Sequence, residues 1–361
     1  MMKNNIIFHL PFELKPPTGA RYIRPQKLMK AFSKLGYEID LVEGVGKKRK
    51  VDIAKIKEKI IKHQVKYDFL YSESSTFPTL LASGKKDLIR YCLMDFNFFK
   101  FCKNNGIKLS VFYRDIHWRF RYIRFVNFWQ KMLYHFDLYE YSKLLDVLYM
   151  PHLTMYNYNP FKLRGEVKAL SPGADMPQTF VIDKKSTDFL NLFYVGGLSN
   201  IYDLRKLFIG VNNTSFTKLI FITRKTEWDN EKEKYQPFLN DRITISHAFG
   251  ENLKNYYNQS SIACLFVNPT PYWKLTYPFK LFEYLGNLKP IIATNGTLAG
   301  DFVAENDVGW TIEYSLDSLI ELLKYIYNNP KIIEEKINNI QALLPSISWE
   351  TKAKQIISDL S

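Results

Sequence analysis

The stretch YPFKLFEYLGNLKPIIA, residues 277 to 293, reads as a short helix followed by a buried strand. Pro278 suits a first helical turn, and Gly286-Asn287 closes the helix. Pro290 then opens the apolar run Ile291-Ile292-Ala293, the pattern of a parallel strand covered on both faces. Lys280 and Glu283 are three residues apart and so share one face of that helix. A helix N-terminus beside a strand end is a ready anion site.

Reading outward, the same strand-helix alternation runs through the whole chain. Ile6 to Leu10, Glu38 to Val42, Phe69 to Ser72, Leu109 to Tyr113 and Val147 to Met150 read as short buried strands. Periodic stretches such as Tyr22 to Leu35 and Ile53 to His63 read as the helices between them. The series restarts at Leu190 to Val195 and continues through Lys218 to Thr223, Ile243 to Ser246, Ile262 to Phe266 and Pro290 to Thr294. Two parallel α/β sheets follow. The connector LSPGADMPQTF, residues 170 to 180, carries Pro172, Gly173 and Pro177 and marks the boundary between the two series.

Composition agrees with two cores. The chain has 361 residues, 46% apolar and 16% aromatic, enough for two domains. No run of 18 apolar residues occurs, and the apolar segment Ile6 to Leu10 is short for a signal peptide. Three cysteines, Cys92, Cys102 and Cys264, are too widely spaced for a zinc or redox pair and read as reduced cytosolic thiols.

The net charge of +14 is unevenly placed. Residues 1 to 170 hold 31 Lys and Arg against 15 Asp and Glu, whereas residues 171 to 361 hold 19 against 21. The first half therefore suits an anionic partner: a nucleic acid, an acidic glycan, or an anionic membrane surface carrying a phospholipid-linked substrate. Lys47-Lys48-Arg49-Lys50 reads as a solvated loop. In RDIHWRFRYIRFVNFWQK, residues 114 to 131, Arg119, Arg121 and Arg124 alternate with aromatic residues. On one helix Trp118, Tyr122, Phe125 and Trp129 would form a single stripe, either at a membrane interface or in the domain core. Nucleic-acid stacking is a further reading of this basic aromatic segment, but no recognised nucleic-acid motif accompanies it, and no nucleic-acid partner is expected.

Parallel sheets bind ligands beyond the carboxyl ends of their strands. After the first strand come Gly19, Arg21 and Arg24; after the fourth come Arg114, Asp115, Ile116 and His117. Asp115 has the chemistry of a general base, or of a structural partner for Arg114. In the second series, Gly196-Gly197 and Arg224-Lys225 follow two of the strands. With Lys280 and Glu283 they make a pocket in which cations meet a diphosphate and a carboxylate accepts from ribose hydroxyls.

These residues resemble a GT-B glycosyltransferase of the family 4 type or a close GT-B relative. The motif P-x-K-x-x-E-Y-x-x-x-x-x-P-I-I-A is met by Pro278, Lys280, Glu283, Tyr284, Pro290 and Ala293. PTGARYIRPQKLMKAFSKLGYEIDLV, DVLYMPHLTM, LSPGAD, LFYVGGLSNIYDL and ISWETKAKQI follow in the family's order, so the resemblance covers nearly the whole chain. It implies two Rossmann-like domains facing each other across a cleft: an acceptor and membrane-facing domain, 1–172, a nucleotide-sugar domain, 173–345, and a helix, 346–361, returning to the first. It implies that Glu283 holds the ribose, that Lys280 and Arg224 neutralise the diphosphate, and that Gly196, Gly197, Gly19, Arg21 and Tyr277 line its path.

The expected activity is hexosyl transfer from a nucleotide-diphosphate sugar, UDP-linked, to a hydroxyl of a glycan or a polyprenyl-diphosphate-linked oligosaccharide. The expected setting is bacterial surface-polysaccharide assembly at the inner face of the cell membrane, with Arg119, Arg121, Arg124, Trp118 and Trp129 at the membrane or acceptor. No Asp-x-Asp pair occurs, so no cofactor or metal is expected. The family's second glutamate, eight residues before Glu283, is replaced by Leu275. That departure favours an inverting reaction with Asp115, or else His117, as base. It also leaves open a non-catalytic nucleotide or sugar-binding module, and the basic half alone would suit a nucleic-acid-binding protein.

Overall fold

The computed structural model describes residues 4–16, 19–82, 88–123, 125–177, 188–199 and 201–361. The first sheet contains β1 (Asn4–His9), β2 (Tyr37–Val42), β3 (Phe69–Glu73), β4 (Lys108–Phe112), β5 (Val147–Met150) and β6 (Glu166–Ala169). Its order is β2-β1-β3-β4-β5-β6, and every pairing is parallel. Its helices are α1 (Ala20–Lys34), α2 (Gly46–Ile61), α3 (Leu88–Tyr91), α4 (Met94–Asn104) and α5 (Phe128–Leu144).

The second sheet contains β7 (Leu190–Val195), β8 (Thr217–Ile222), β9 (Ile243–Ser246), β10 (Ile262–Leu265), β11 (Ile291–Thr294) and β12 (Gly309–Ile312). Its order is β12-β11-β10-β7-β8-β9, again all parallel. The helices are α6 (Arg205–Asn212), α7 (Lys225–Glu231), α8 (Leu253–Gln259), α9 (Phe279–Gly286), α10 (Leu298–Glu305), α11 (Leu316–Asn328) and α12 (Lys331–Ile347). The last helix, α13 (Trp349–Leu360), belongs with the first sheet.

The α/β class with two parallel sheets is thus as expected from the sequence. Chain contacts divide the protein into one unit that ends at Gly173 and includes Trp349–Ser361, and another from Ala174 to Ser348. The second unit is entered and left side by side, because Ala174 N–H donates to the Ile347 carbonyl at 2.8 Å. In the first unit, α13 is tied down by Asp359, which accepts from Tyr149 Oη at 2.9 Å and pairs with Lys168 at 2.7 Å. A Cβ on Gly173 would meet the Trp349 ring at 2.6 Å, so this glycine is what lets the tryptophan close against the connector.

Helix α9 shows how the opening motif folds. Pro278 takes the N-cap position with φ −64°, its ring-fixed value. Leu281, Phe282, Tyr284 and Leu285 are buried in a core shared with β10, β11 and α12. Each such apolar side chain contributes about 1.5–3 kcal/mol of transfer free energy, so the helix is held by packing rather than by its eight-residue length.

Two local expectations are corrected. Lys47-Lys48-Arg49-Lys50 lies inside α2, and Arg49 is fully buried, donating to Asp95 Oδ1 at 3.0 Å and Oδ2 at 2.9 Å. Residues 114–131 do not form one helix either. Asp115 Oδ1 accepts the His117 N–H at 2.8 Å, a local bond that competes with helix formation. Only a 3₁₀ turn, His117–Arg119, follows, and α5 begins afresh where Asn127 caps Gln130 at 2.9 Å.

Candidate functional site

In the second sheet the strand order reverses between β7 and β10, which is where open parallel sheets receive ligands. Gly196 and Gly197 leave β7 there, and α9 follows β10. Tyr284 ties the two together by accepting the Val195 N–H at 3.0 Å.

Lys280 is 7% exposed. Its Nζ donates to Tyr194 Oη at 2.7 Å and stands 4.0 and 4.1 Å from the ring centroids of Tyr194 and Tyr202. Burial pushes its pKa down to about 7, against the opposing charges of Glu283 and Glu227. Gly196 has φ 148°, and a Cβ there would collide with Lys280 Nζ, so the position needs glycine on both counts. Gly197 is under no such constraint: a Cβ would sit 3.5 Å from Glu227.

Arg224, at the end of β8, is largely exposed and pairs with Glu227 at 2.6 Å. The other Glu227 oxygen accepts the Leu198 N–H at 3.0 Å. A carboxylate therefore already occupies the Leu198 amide beside the glycine pair and the Arg224 guanidinium that the resemblance assigned to a diphosphate. Beside Lys280 lies a small cavity walled by Tyr202, Val267, Trp273, Pro278 and Thr297. The Trp273 Nε1 donor is buried without a hydrogen-bond partner, as is the nearby Thr270 hydroxyl, and each would suit a ligand hydroxyl or phosphate oxygen. Leu275 is buried in the same segment. Tyr277 packs its ring edge-on against Phe282 and Phe302, which makes it a wall of the helix start.

Sequence reasoning missed Tyr194, Tyr202, Glu227 and Trp273. The Arg224-x-x-Glu227 spacing was a usable signal for the ion pair, but the aromatic seat of Lys280 joins residues 86 apart in the chain and had none.

In the first unit, Gly19 caps α1 with extended backbone, φ −175°, so its conformation does not itself demand glycine. Arg21 lies over the Phe12 ring at 4.2 Å. Asp115 and His117 come together, with Oδ2 3.6 Å from Nδ1. His117 is 7% exposed and its Nε2 is buried without a partner. Arg114 turns away to Glu73, at 2.9 Å.

The expected aromatic surface is split. Trp118 is 2% exposed, stacked on Tyr134 at 4.9 Å, with Nε1 donating to Tyr113 Oη at 3.1 Å. It is a core residue, which corrects its placement at a membrane. Trp129 is 75% exposed and lies in a run of exposed residues with Tyr122, Phe125, Phe128 and Met132. Arg121 covers Phe125 at 5.9 Å, and Arg119 covers Trp118 at 4.9 Å. Arg124 lies outside the described residues.

No family model and no curated protein matches the chain. Solved structures match over its full length. A sucrose-phosphate synthase from Thermosynechococcus elongatus superposes with TM-score 0.67 at 13% identity, covering 98% of this chain and 97% of that one. A glycosyltransferase from Rickettsia africae superposes with TM-score 0.67 at 12% identity, over 99% and 98%. HepE from Anabaena, solved with UDP-glucose, gives 0.65 at 11%, over 98% and 99%. The chain has the GT-B fold.

Proposed function

Proceeding from the GT-B fold, we propose that this protein is a metal-independent glycosyltransferase that moves a sugar from a UDP-linked donor to a hydroxyl of a glycan or lipid-linked oligosaccharide. One observation carries the reading: Lys280 is a cation buried at the strand-order reversal, with a phenol and two aromatic faces as partners rather than a carboxylate salt bridge. A desolvated lysine there has most to gain from an arriving diphosphate. Arg224 joins it if the diphosphate replaces Glu227, and Glu283, on the same helix face as Lys280, would accept from ribose hydroxyls. Charge that develops on the departing nucleotide is then met by fixed cations.

In the first unit, His117 Nε2 is the atom that would take the acceptor's proton, and Asp115 would hold the ring and stabilise the imidazolium that forms. This reverses the order of preference that the sequence suggested, because Asp115 spends one oxygen on the His117 amide. The exposed Tyr122, Phe125, Phe128, Trp129 and Met132, with Arg121 and Lys131, support docking on an anionic membrane surface in polysaccharide assembly.

A thermal-shift screen across nucleoside diphosphates tests the donor site. UDP should raise Tm through binding to the folded state, and Lys280→Ala should remove the shift. No response to any nucleotide would sink the reading. The substitution of Leu275 for the family's glutamate favours one second reading, a donor-binding module without transfer. Slow hydrolysis of UDP-glucose, absent in Lys280→Ala, would decide for the enzyme.

A further inference from the structure

The order of the first sheet also reverses, between β1 and β3, and a set of charges gathers at those strand ends that the donor site does not use. Glu73, the last residue of β3, is fully buried. Arg24 Nε donates to its Oε1 at 2.8 Å and Arg114 Nη2 to its Oε2 at 2.9 Å. Arg24 is 3% exposed, with Cζ 3.6 Å from the Phe112 ring centroid and Nη2 3.3 Å from Tyr71 Oη. Its hydrogen-bonding capacity is directed into the protein.

Three further cations around it are not satisfied in this way. Arg21, one turn before Arg24 on α1, is half-buried and its Nε has no partner. Arg114 is 14% exposed and its Nε is likewise buried without a partner. Lys352 on α13 is pushed down to about 8 by burial and then by the charge of Arg24. Arg114 in turn is lowered by burial, and Arg24 and Arg21 add to this against Glu73. Two guanidiniums thus bond one carboxylate, Arg21 stands one turn before Arg24 on α1, and α13 brings Lys352 in beside Arg24, whose Cζ is 6.0 Å from the ring of Trp349 one turn earlier on that helix; among the described residues no second carboxylate pairs with any of the four. Desolvated like charges with idle donors are costly unless an anion joins them. Planar guanidinium forks match phosphate oxygens in particular.

We propose that Arg21, Arg114 and Lys352, held in place by Arg24 and Glu73, form a binding site for a phosphate or diphosphate group carried by the acceptor substrate. The word acceptor rests on the transferase reading above; the anion site itself does not. It reassigns Arg21, which the sequence pattern placed at the donor. The carrier is either a lipid-linked diphosphate or a soluble sugar phosphate, which share the same terminal oxygens.

The test is the melting temperature of the whole protein saturated with UDP, with inorganic pyrophosphate added. A further rise in Tm is expected, lost in Arg114→Gln and in Lys352→Gln while the UDP shift stays intact. Lys352→Gln carries the test alone if Arg114→Gln does not fold, because Lys352 makes no bond to Glu73. Farnesyl diphosphate in micelles and a hexose phosphate are then compared as competitors of pyrophosphate, and the one that competes identifies the carrier. The proposal is overturned if pyrophosphate adds nothing, if both variants keep the increment, if neither carrier competes, or if pyrophosphate competes with UDP, which would make the anion the donor's own. If UDP itself gives no shift, the donor reading falls; pyrophosphate is then added to the ligand-free protein, where loss of its shift in Lys352→Gln supports the site and retention overturns it.

Discussion

Lys280 concentrates the proposed donor chemistry in one side chain. Its pKa of about 7 means that it exchanges its proton near neutrality, whereas beside a diphosphate it would hold the proton tightly. UDP binding should therefore take up a proton, and affinity should fall as pH rises above 7, by up to about tenfold per unit until the pKa of the complex is reached. Titration calorimetry in buffers of differing ionisation enthalpy measures that uptake, and a pH-independent affinity would count against it. Gly196→Ala should weaken UDP binding roughly tenfold or more, about 1.4 kcal/mol, since its Cβ would displace the Lys280 ammonium. The motif made Lys280 and Glu283 legible at once. Trp118 was misread because its neighbours Tyr122, Phe125 and Trp129 share a helical spacing that the Asp115 turn prevents from forming.

Elements were legible in proportion to how apolar they are. β5, β7 and β9 fall on the residues that their sequence indicates, whereas β6, with Glu166 and Lys168, and β12, with Gly309 and Thr311, lack the continuous apolar run and passed unnoticed. The α2 segment was misread for a related reason: its lysines mask an arginine that points inward. Arg49, Asp95 and His9 form a buried network that ties α2, α4 and β1 together. Burial alone would raise Asp95, but the bonds and charge of His9 and then Arg49 hold it below its ordinary value. The carboxylate thus adds stability above the unfolded-state pKa of about 3.9, and that contribution disappears as pH falls through the lower folded value. Asp95→Asn should cost about 3–5 kcal/mol at pH 7 by denaturant melting, with a smaller deficit at pH 3. Asp137 on α5 behaves oppositely, raised to about 7 by burial. The folded state keeps its proton longer than the unfolded one, so stability falls between about pH 4 and 7. Asp137→Asn, whose amide oxygen can still accept the Thr79 N–H that Asp137 receives at 2.7 Å, should flatten that slope, and an unchanged slope would assign the pH dependence elsewhere.

At the scale of the whole molecule, the excess of basic residues in the first half divides into separate uses. Some pair within the fold, as Arg49 does; some gather at Glu73; and some remain beside exposed aromatics near the start of α5. Among the described residues no helix is long and apolar enough to cross a membrane. The membrane reading therefore predicts reversible attachment. Co-sedimentation with anionic liposomes should be lost at high salt, where the Debye length shrinks to about 3 Å, and should drop several-fold in Phe128→Ser/Trp129→Ser. Binding that ignores both salt and the double substitution would remove this role. The sequence by itself determined the two parallel sheets, the connector near Gly173 and the Lys280 to Glu283 helix, because periodicity, breakers and short motifs are local signals. Only the tertiary structure decided that Lys280 lies between Tyr194 and Tyr202, that Glu227 takes the Leu198 amide, and that Arg24 and Arg114 meet at Glu73. Strand order brings residues from distant parts of the chain to one sheet edge, and no spacing along the chain records which ends become neighbours.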